Sequence, residues 1–123
     1  MVEQLTDMPE GTLGFRSTGD LTGEDYREVI VPPLRERIDA GEKIRMMFVI
    51  GEDFRETPSG IFEDIKAGTQ LGAGHMSAWE RTAVVSDQGW VRKGVRMFGW
   101  MAPGELKVFP LTDEAKAREW LIR

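Results

Sequence analysis

The chain has 123 residues, a length typical of one compact domain, and we expect residues 1–123 to form a single domain. It contains no cysteine, which excludes disulfides, thiolate nucleophiles and cysteine-based metal sites and suits a reducing cytoplasm. The formal net charge of −5 opposes binding to the phosphate backbone of nucleic acids. The first residues show no basic stretch followed by an apolar run, and no segment approaches the ~20 apolar residues of a membrane span, so we expect a cytoplasmic protein.

Two short strands, 2–8 and 12–20, are predicted to open the chain around a turn that contains Pro9 and Gly11. In the second strand Leu13 and Phe15 alternate with small or polar residues, as expected when one face of a strand is buried. The pattern predicts a β-hairpin.

A helix is predicted next, because residues 22–25 have a capping-box pattern. Pro32 and Pro33 have no backbone amide proton to donate and should kink or split this helix near Ile30. Gly41 is its expected end.

The segment Ile44–Ile50 is almost continuously apolar, which predicts a central strand covered on both faces. A second helix is predicted to start at Thr57 and Pro58, and a buried strand over 81–86. Asp87 is the expected cap of a third helix that runs to about residue 101.

The chain is predicted to end with a strand over 106–109 and a helix that starts at Thr112 and packs through Ala115, Trp120 and Leu121. Strands alternating with helices after a hairpin are typical of an α/β fold with a mixed, mostly parallel sheet and helices packed against it.

Four groups of residues also carry a resemblance to a known family. They are residues 21–26, Ile44–Ile50, 80–87 with Trp90, and 103–109 with Ala115, Ala117, Trp120 and Leu121. Over nearly its whole length the chain resembles the SpoIIAA-like branch of the STAS domains, relatives of the bacterial anti-anti-sigma factors. The resemblance implies four or five strands flanked by about four helices. It also implies a regulatory module or a binder of apolar ligands, as in related STAS and CRAL-TRIO-type domains, and says little about activity.

Anti-anti-sigma factors carry a regulatory phosphoserine at the start of the second helix, where this chain has Ser59. A phosphate on Ser59 would face the positive end of a helix, but five acidic residues are nearby in sequence against Arg55 and Lys66. Ser59 is therefore either a phosphorylation switch or a plain part of the helix start.

The predicted 88–101 helix has large apolar residues over more of its circumference than one buried stripe needs. We expect its ligand or partner surface to comprise Trp90, Met97, Phe98, Trp100 and Met101. Its polar side carries Arg92, Lys93 and Arg96. Three interpretations stay open, namely a helix with one face on the sheet, an apolar pocket beneath the helix, and a protein interface that includes a homodimer contact. Met46, Met47, Met76 and Trp79 either line such a pocket or belong to the core.

Polar residues show no arrangement typical of catalysis. His75 has no second ligand or acid at a metal-site or triad spacing, Glu63 and Asp64 point to different faces of a helix, and Gly51 is followed by acids rather than by a phosphate-binding loop. We therefore expect no enzyme, cofactor or metal site. The leading hypothesis is a non-enzymatic regulatory module that docks to a protein partner, and the alternative is a carrier or sensor of a small apolar ligand between the sheet and the 88–101 helix.

Overall fold

The structure, a computed structural model, describes residues 1–19, 23–52, 78–99 and 104–123. Five strands in these ranges form one sheet in chain order. They are β1 (Val2–Gln4), β2 (Leu13–Ser17), β3 (Ile44–Ile50), β4 (Trp79–Val85) and β5 (Glu105–Phe109). β1 and β2 form the predicted antiparallel pair, and each further strand lies parallel to its neighbour. The expected mixed, mostly parallel sheet is confirmed, with Ile44–Ile50 in its centre.

Three α-helices of eight to ten residues lie in this part of the chain, against the expectation of about four. They are α1 (Val31–Asp39), α2 (Gly89–Phe98) and α3 (Glu114–Leu121). The helix predicted to start at Thr57 lies outside the described residues.

The segment before α1 shows how the two prolines are accommodated. A short α-helical turn (Gly23–Asp25) passes into a π-helical turn (Tyr26–Ile30), and the regular helix α1 then begins at Val31. Pro32 and Pro33 therefore lie in the first turn of α1, where backbone amides have no intrahelical partner to lose. The predicted irregularity near Ile30 is confirmed, and it takes the form of a π-helical turn.

One face of the sheet is covered by α1. Phe15 of β2 and Ile44 of β3 are fully buried there against Ile30 and Leu34 of the helical segment, and we call these residues the α1 cluster. Neighbouring residues in β3 point to the opposite face, as strand geometry requires. Burial of the large side chains on this face removes apolar surface from water and fixes α1 on the sheet.

The opposite face is covered by α3. Met47 of β3, Val85 of β4 and Phe109 of β5 form a buried cluster there with Ala117 and Leu121 of the helix. The expectation that Ala115 packs inward was wrong, because Ala115 is exposed and Ala117 occupies the inner position. Trp120 and Leu121 face the core as expected.

Two arginines on the strands hold the last turn of α3. The Nη1 atom of Arg45 donates hydrogen bonds to the carbonyl oxygens of Leu121 (2.6 Å) and Arg123 (3.1 Å). Arg81 donates to the carbonyl oxygen of Trp120, and its guanidinium lies 5.2 Å from the centre of the Trp120 ring. Because the final carbonyls of a helix have no intrahelical donors and carry partial negative charge, these cations stabilise the end of α3.

Candidate functional site

Helix α2 begins at the edge of the sheet where the parallel strands end. The amide of Ser86, directly after β4, donates to the carbonyl oxygen of Phe109 (2.9 Å), and the Ser86 hydroxyl accepts a hydrogen bond from the amide of Gln88 (3.1 Å). Gln88 is the residue that caps α2, but its side chain makes no capping hydrogen bond. The prediction that Asp87 caps this helix was wrong. An Asp87 carboxylate oxygen instead accepts the Leu111 amide (3.0 Å), which ties the start of α2 to the end of β5.

The Gln88 side chain connects α2 to the central strand. Its amide nitrogen donates to the carbonyl oxygen of Gly51 (2.7 Å), directly after β3. Its amide oxygen accepts a hydrogen bond from the indole nitrogen of Trp90. Gln88 therefore orients the Trp90 ring relative to the sheet, a contact that spacing along the sequence does not indicate.

The inner side of α2 packs directly on the sheet. Val91 is 5% exposed and forms a buried cluster with Ile50, against which Phe48 and Val84 also pack. Complete burial of such a side chain is worth about 1.5–3 kcal/mol, so this contact contributes to anchoring the first turns of α2 on the sheet.

The outer side of α2 exposes two large apolar residues. Trp90 is 42% exposed and Met97 is 54% exposed. They are seven residues apart, so they lie on the same side of the helix, with Gly94 between them. We call the surface formed by Trp90, Gly94 and Met97 the outer face.

Cations border the outer face. Arg92, Lys93 and Arg96 are exposed, and α2 contains no acidic residue. Arg92 lies 3.8 Å from Asp87, the acid just before the helix. Since the whole chain carries −5 and α2 carries +3, the remaining residues carry −8. The positive charge of α2 is therefore a local feature on an acidic protein.

The structure brings together only part of the predicted surface. Trp90 and Met97 share the outer face, and Phe98 is the last residue of α2. Trp100, Met101 and Ser59 lie outside the described residues, as do His75 and Met76.

The sequence leaves Met46, Met47 and Trp79 either in a pocket under α2 or in the core. Met47 is fully buried beneath α3, on the face of the sheet opposite α2, so of the two alternatives it takes the core. Met46 and Trp79 pack against the α1 cluster. Along the described strands, these side chains belong to the core.

A cavity of about 240 Å³ lies elsewhere, between the first two strands and α1. It is lined by Gln4, Leu13, Pro33, Glu36, Arg37, Ala40 and Glu42. Arg37 already donates to the carbonyl oxygen of Gly11 (3.1 Å) and pairs with Glu42 (3.7 Å). The cavity therefore presents no arrangement specific for a ligand.

In the described ranges, no three histidine or acidic residues are grouped as metal ligands would be. No helix among the same residues is long and apolar enough to cross a membrane.

Comparisons with known proteins agree with the architecture. The sequence profile of the SpoIIAA-like family matches residues 12–122. In structure the chain is similar to an uncharacterized protein of the DUF3478 family with a SpoIIAA-like fold from Shewanella loihica PV-4, with 26% sequence identity and a TM-score of 0.64 over 98% of this chain and 93% of the other. No protein of curated description matches the chain in sequence. Because the family profile covers nearly all of the sequence, this chain belongs to the SpoIIAA-like family.

Proposed function

We propose that this protein is a non-enzymatic regulatory module of the cytoplasm that docks to a partner protein through the outer face of α2. The SpoIIAA-like fold is that of a STAS-type regulatory or interaction domain, which supports docking over catalysis. The observation that carries the proposal is the exposure of Trp90 and Met97 along one side of a helix whose other side is anchored by Val91.

The composition of the outer face supports this proposal. Trp, Met and Arg are enriched in protein interfaces, and energetically dominant contacts centre on aromatic and Arg side chains. Gln88 holds the Trp90 ring by a hydrogen bond, so less side-chain freedom is lost when a partner binds.

Substituting both outer apolar residues is expected to weaken docking strongly. A Trp90→Ala, Met97→Ala double variant should bind the partner at least about thirtyfold more weakly than wild type, because truncation of two central interface residues costs about 2 kcal/mol or more. The measurement is quantitative pull-down from lysate of the source cells, with bound proteins identified by mass spectrometry.

Ile122→Ala is the matched control, since Ile122 is 55% exposed but lies after α3. It should retain the partner. Identical partner lists for wild type and the double variant would show that the outer face is not the docking surface.

The alternative function is a carrier or sensor of a small apolar molecule between the sheet and α2. The contact of Val91 with Ile50 favours docking, because these side chains fill the space beneath the first turns of α2. Native mass spectrometry of freshly purified protein should show the mass of the polypeptide alone. A stoichiometric lipid or fatty acid would support the carrier instead.

Ser59 remains a proposed site of regulation. A phosphate there would act through its charge at the start of the predicted helix. Phosphate on Ser59 after incubation with source-cell lysate and ATP, read by mass spectrometry, would support the switch, and its absence would count against it.

A further inference from the structure

The outer face has a gap at its centre. Trp90, Gly94 and Met97 follow one another along one side of α2, and the helix rise places Trp90 and Met97 roughly 10 Å apart along its axis. A Cβ atom added to Gly94 would meet nothing within 4 Å. The fold therefore has no steric need for glycine here, although glycine is a poorer helix former than alanine. Gly94 therefore leaves open space, which we call the notch, between two exposed apolar side chains.

The charges beside the notch are of one sign. Lys93 and Arg96 lie along one side of the Trp90–Met97 stripe, with Arg92 behind them. Complementary interfaces place opposite charges against each other, and like charges in contact weaken binding. The surface that fits α2 therefore carries acidic residues.

A symmetric contact of this surface with the same surface of a second copy is unfavourable. A two-fold contact between outer faces would place the same three cations of both copies in one small interface, with no acid on either α2. An anionic membrane attracts the cations as well, but a notch that takes one side chain serves no purpose on a lipid surface.

We infer that the segment docking on α2 is an acidic stretch of another protein that inserts one apolar side chain over Gly94, between Trp90 and Met97. This inference rests on the proposed docking function and specifies the chemistry of the partner. The apolar side chain supplies contact area in the notch, and the acidic residues pair with Lys93, Arg96 and Arg92.

Synthetic peptides test the inference directly. Three labelled helical peptides are compared by fluorescence anisotropy: one with glutamates around a leucine stripe, one with every Glu replaced by Lys, and one with every Leu replaced by Ser. We expect binding of the Glu/Leu peptide alone, and an affinity that falls about tenfold or more between low and high salt. Equal binding of the Lys peptide, binding that does not respond to salt, or no binding of the Glu/Leu peptide would overturn the inference.

A substitution at Gly94 distinguishes the effect of the notch on binding from the effect of the glycine on stability. Gly94→Ala should raise the midpoint of thermal unfolding by about 2–4 °C, because alanine favours the helix and the space is open. The same variant should weaken binding of the Glu/Leu peptide about tenfold, because its methyl group occupies the notch. Gly89→Ala is the matched control, since Gly89 is also in open space on α2 but outside the notch, and it should leave peptide binding unchanged. Equal binding by wild type and Gly94→Ala would show that no side chain enters the notch.

Reversing the charge of two arginines tests the role of the cations. Arg92→Glu with Arg96→Glu should weaken binding of the Glu/Leu peptide about tenfold or more, whereas Lys116→Glu on α3, with its side chain 75% exposed, should not.

Phosphatidylserine vesicles test the membrane as an alternative partner. Binding of the protein to these vesicles without binding to the peptide would indicate a lipid surface and overturn the inference. If the outer-face double variant loses its lysate partner but that partner's contacting segment is basic or neutral, docking stands and only the acidic chemistry fails.

Discussion

Gly104→Ala is expected to lower the free energy of unfolding by about 3 kcal/mol, the combined cost of an unfavourable backbone conformation and a steric clash. Gly104 precedes β5 with a φ of 74°, a region that residues with a Cβ rarely occupy. Its Cβ would also lie 2.6 Å from the carbonyl oxygen of Trp79 and 2.8 Å from that of Glu80. These oxygens belong to the backbone of β4, so relief of the clash requires β4 and β5 to separate locally. Urea denaturation of wild type and variant measures the difference.

Gly11→Ala isolates the backbone part of this cost. Gly11 has a similar φ of 82°, but a Cβ there meets nothing within 4 Å. We expect a loss of about 1 kcal/mol at Gly11, from the positive φ alone. Equal losses of unfolding free energy at the two positions would mean that the methyl group at position 104 causes no steric clash. The close approach of the β4 backbone to Gly104 would then be wrong.

Phe15→Ala should destabilise the protein by about 3–5 kcal/mol, the range observed when a large aromatic side chain is removed from a packed core. Phe15 is fully buried on β2, where it packs with Ile30 and Leu34 of the helical segment. The loss combines apolar surface no longer buried with a cavity that the sheet cannot close. The midpoint and slope of a denaturant unfolding curve give the value.

The control for this substitution is Ile122→Ala. Ile122 is 55% exposed, and surface truncations of this kind change stability by about 0.5 kcal/mol or less. A loss below about 1 kcal/mol for Phe15→Ala would contradict the position of Phe15 at the centre of the α1 cluster.

Much of the sheet could be predicted from local sequence patterns. The apolar run Ile44–Ile50 matches β3 residue for residue, because a strand covered on both faces needs apolar side chains on both. Gly41 follows α1 with a φ of 73°, as a helix-ending glycine should. These features depend on neighbours a few residues apart, which is why the sequence alone indicates them.

Features that depend on distant residues could not be predicted in the same way. Arg45 stands in the apolar β3 run, and its hydrogen-bond partners at the end of α3 are 76 and 78 residues further along the chain. Asp87 is a residue type that often caps helices, yet its carboxylate accepts a hydrogen bond from the amide of Leu111, after β5. In both cases tertiary contacts outweigh the local preference of the residue.

The candidate site was predicted in outline only. Composition pointed to Trp90 and Met97 because the helix is too apolar for a single buried stripe. Composition could not decide whether Met47 lines a pocket or belongs to the core. Both faces of β3 are apolar, and the sequence pattern does not indicate which helix covers which face. The sequence did not indicate a role for Gln88, because that role depends on a hydrogen bond to Gly51, a residue 37 positions earlier.

Site-specific crosslinking in cells shows whether the outer face of α2 docks to another protein. A photoreactive benzoylphenylalanine replaces Met97 in one protein and Lys116 in another, and both are irradiated in the source cells. If the outer face docks to another protein, position 97 should give one adduct of defined mass with a different protein, absent from position 116 and lost when Trp90→Ala is added. Adducts only with a second copy of the chain, or equal adducts from both positions, would contradict docking through the outer face.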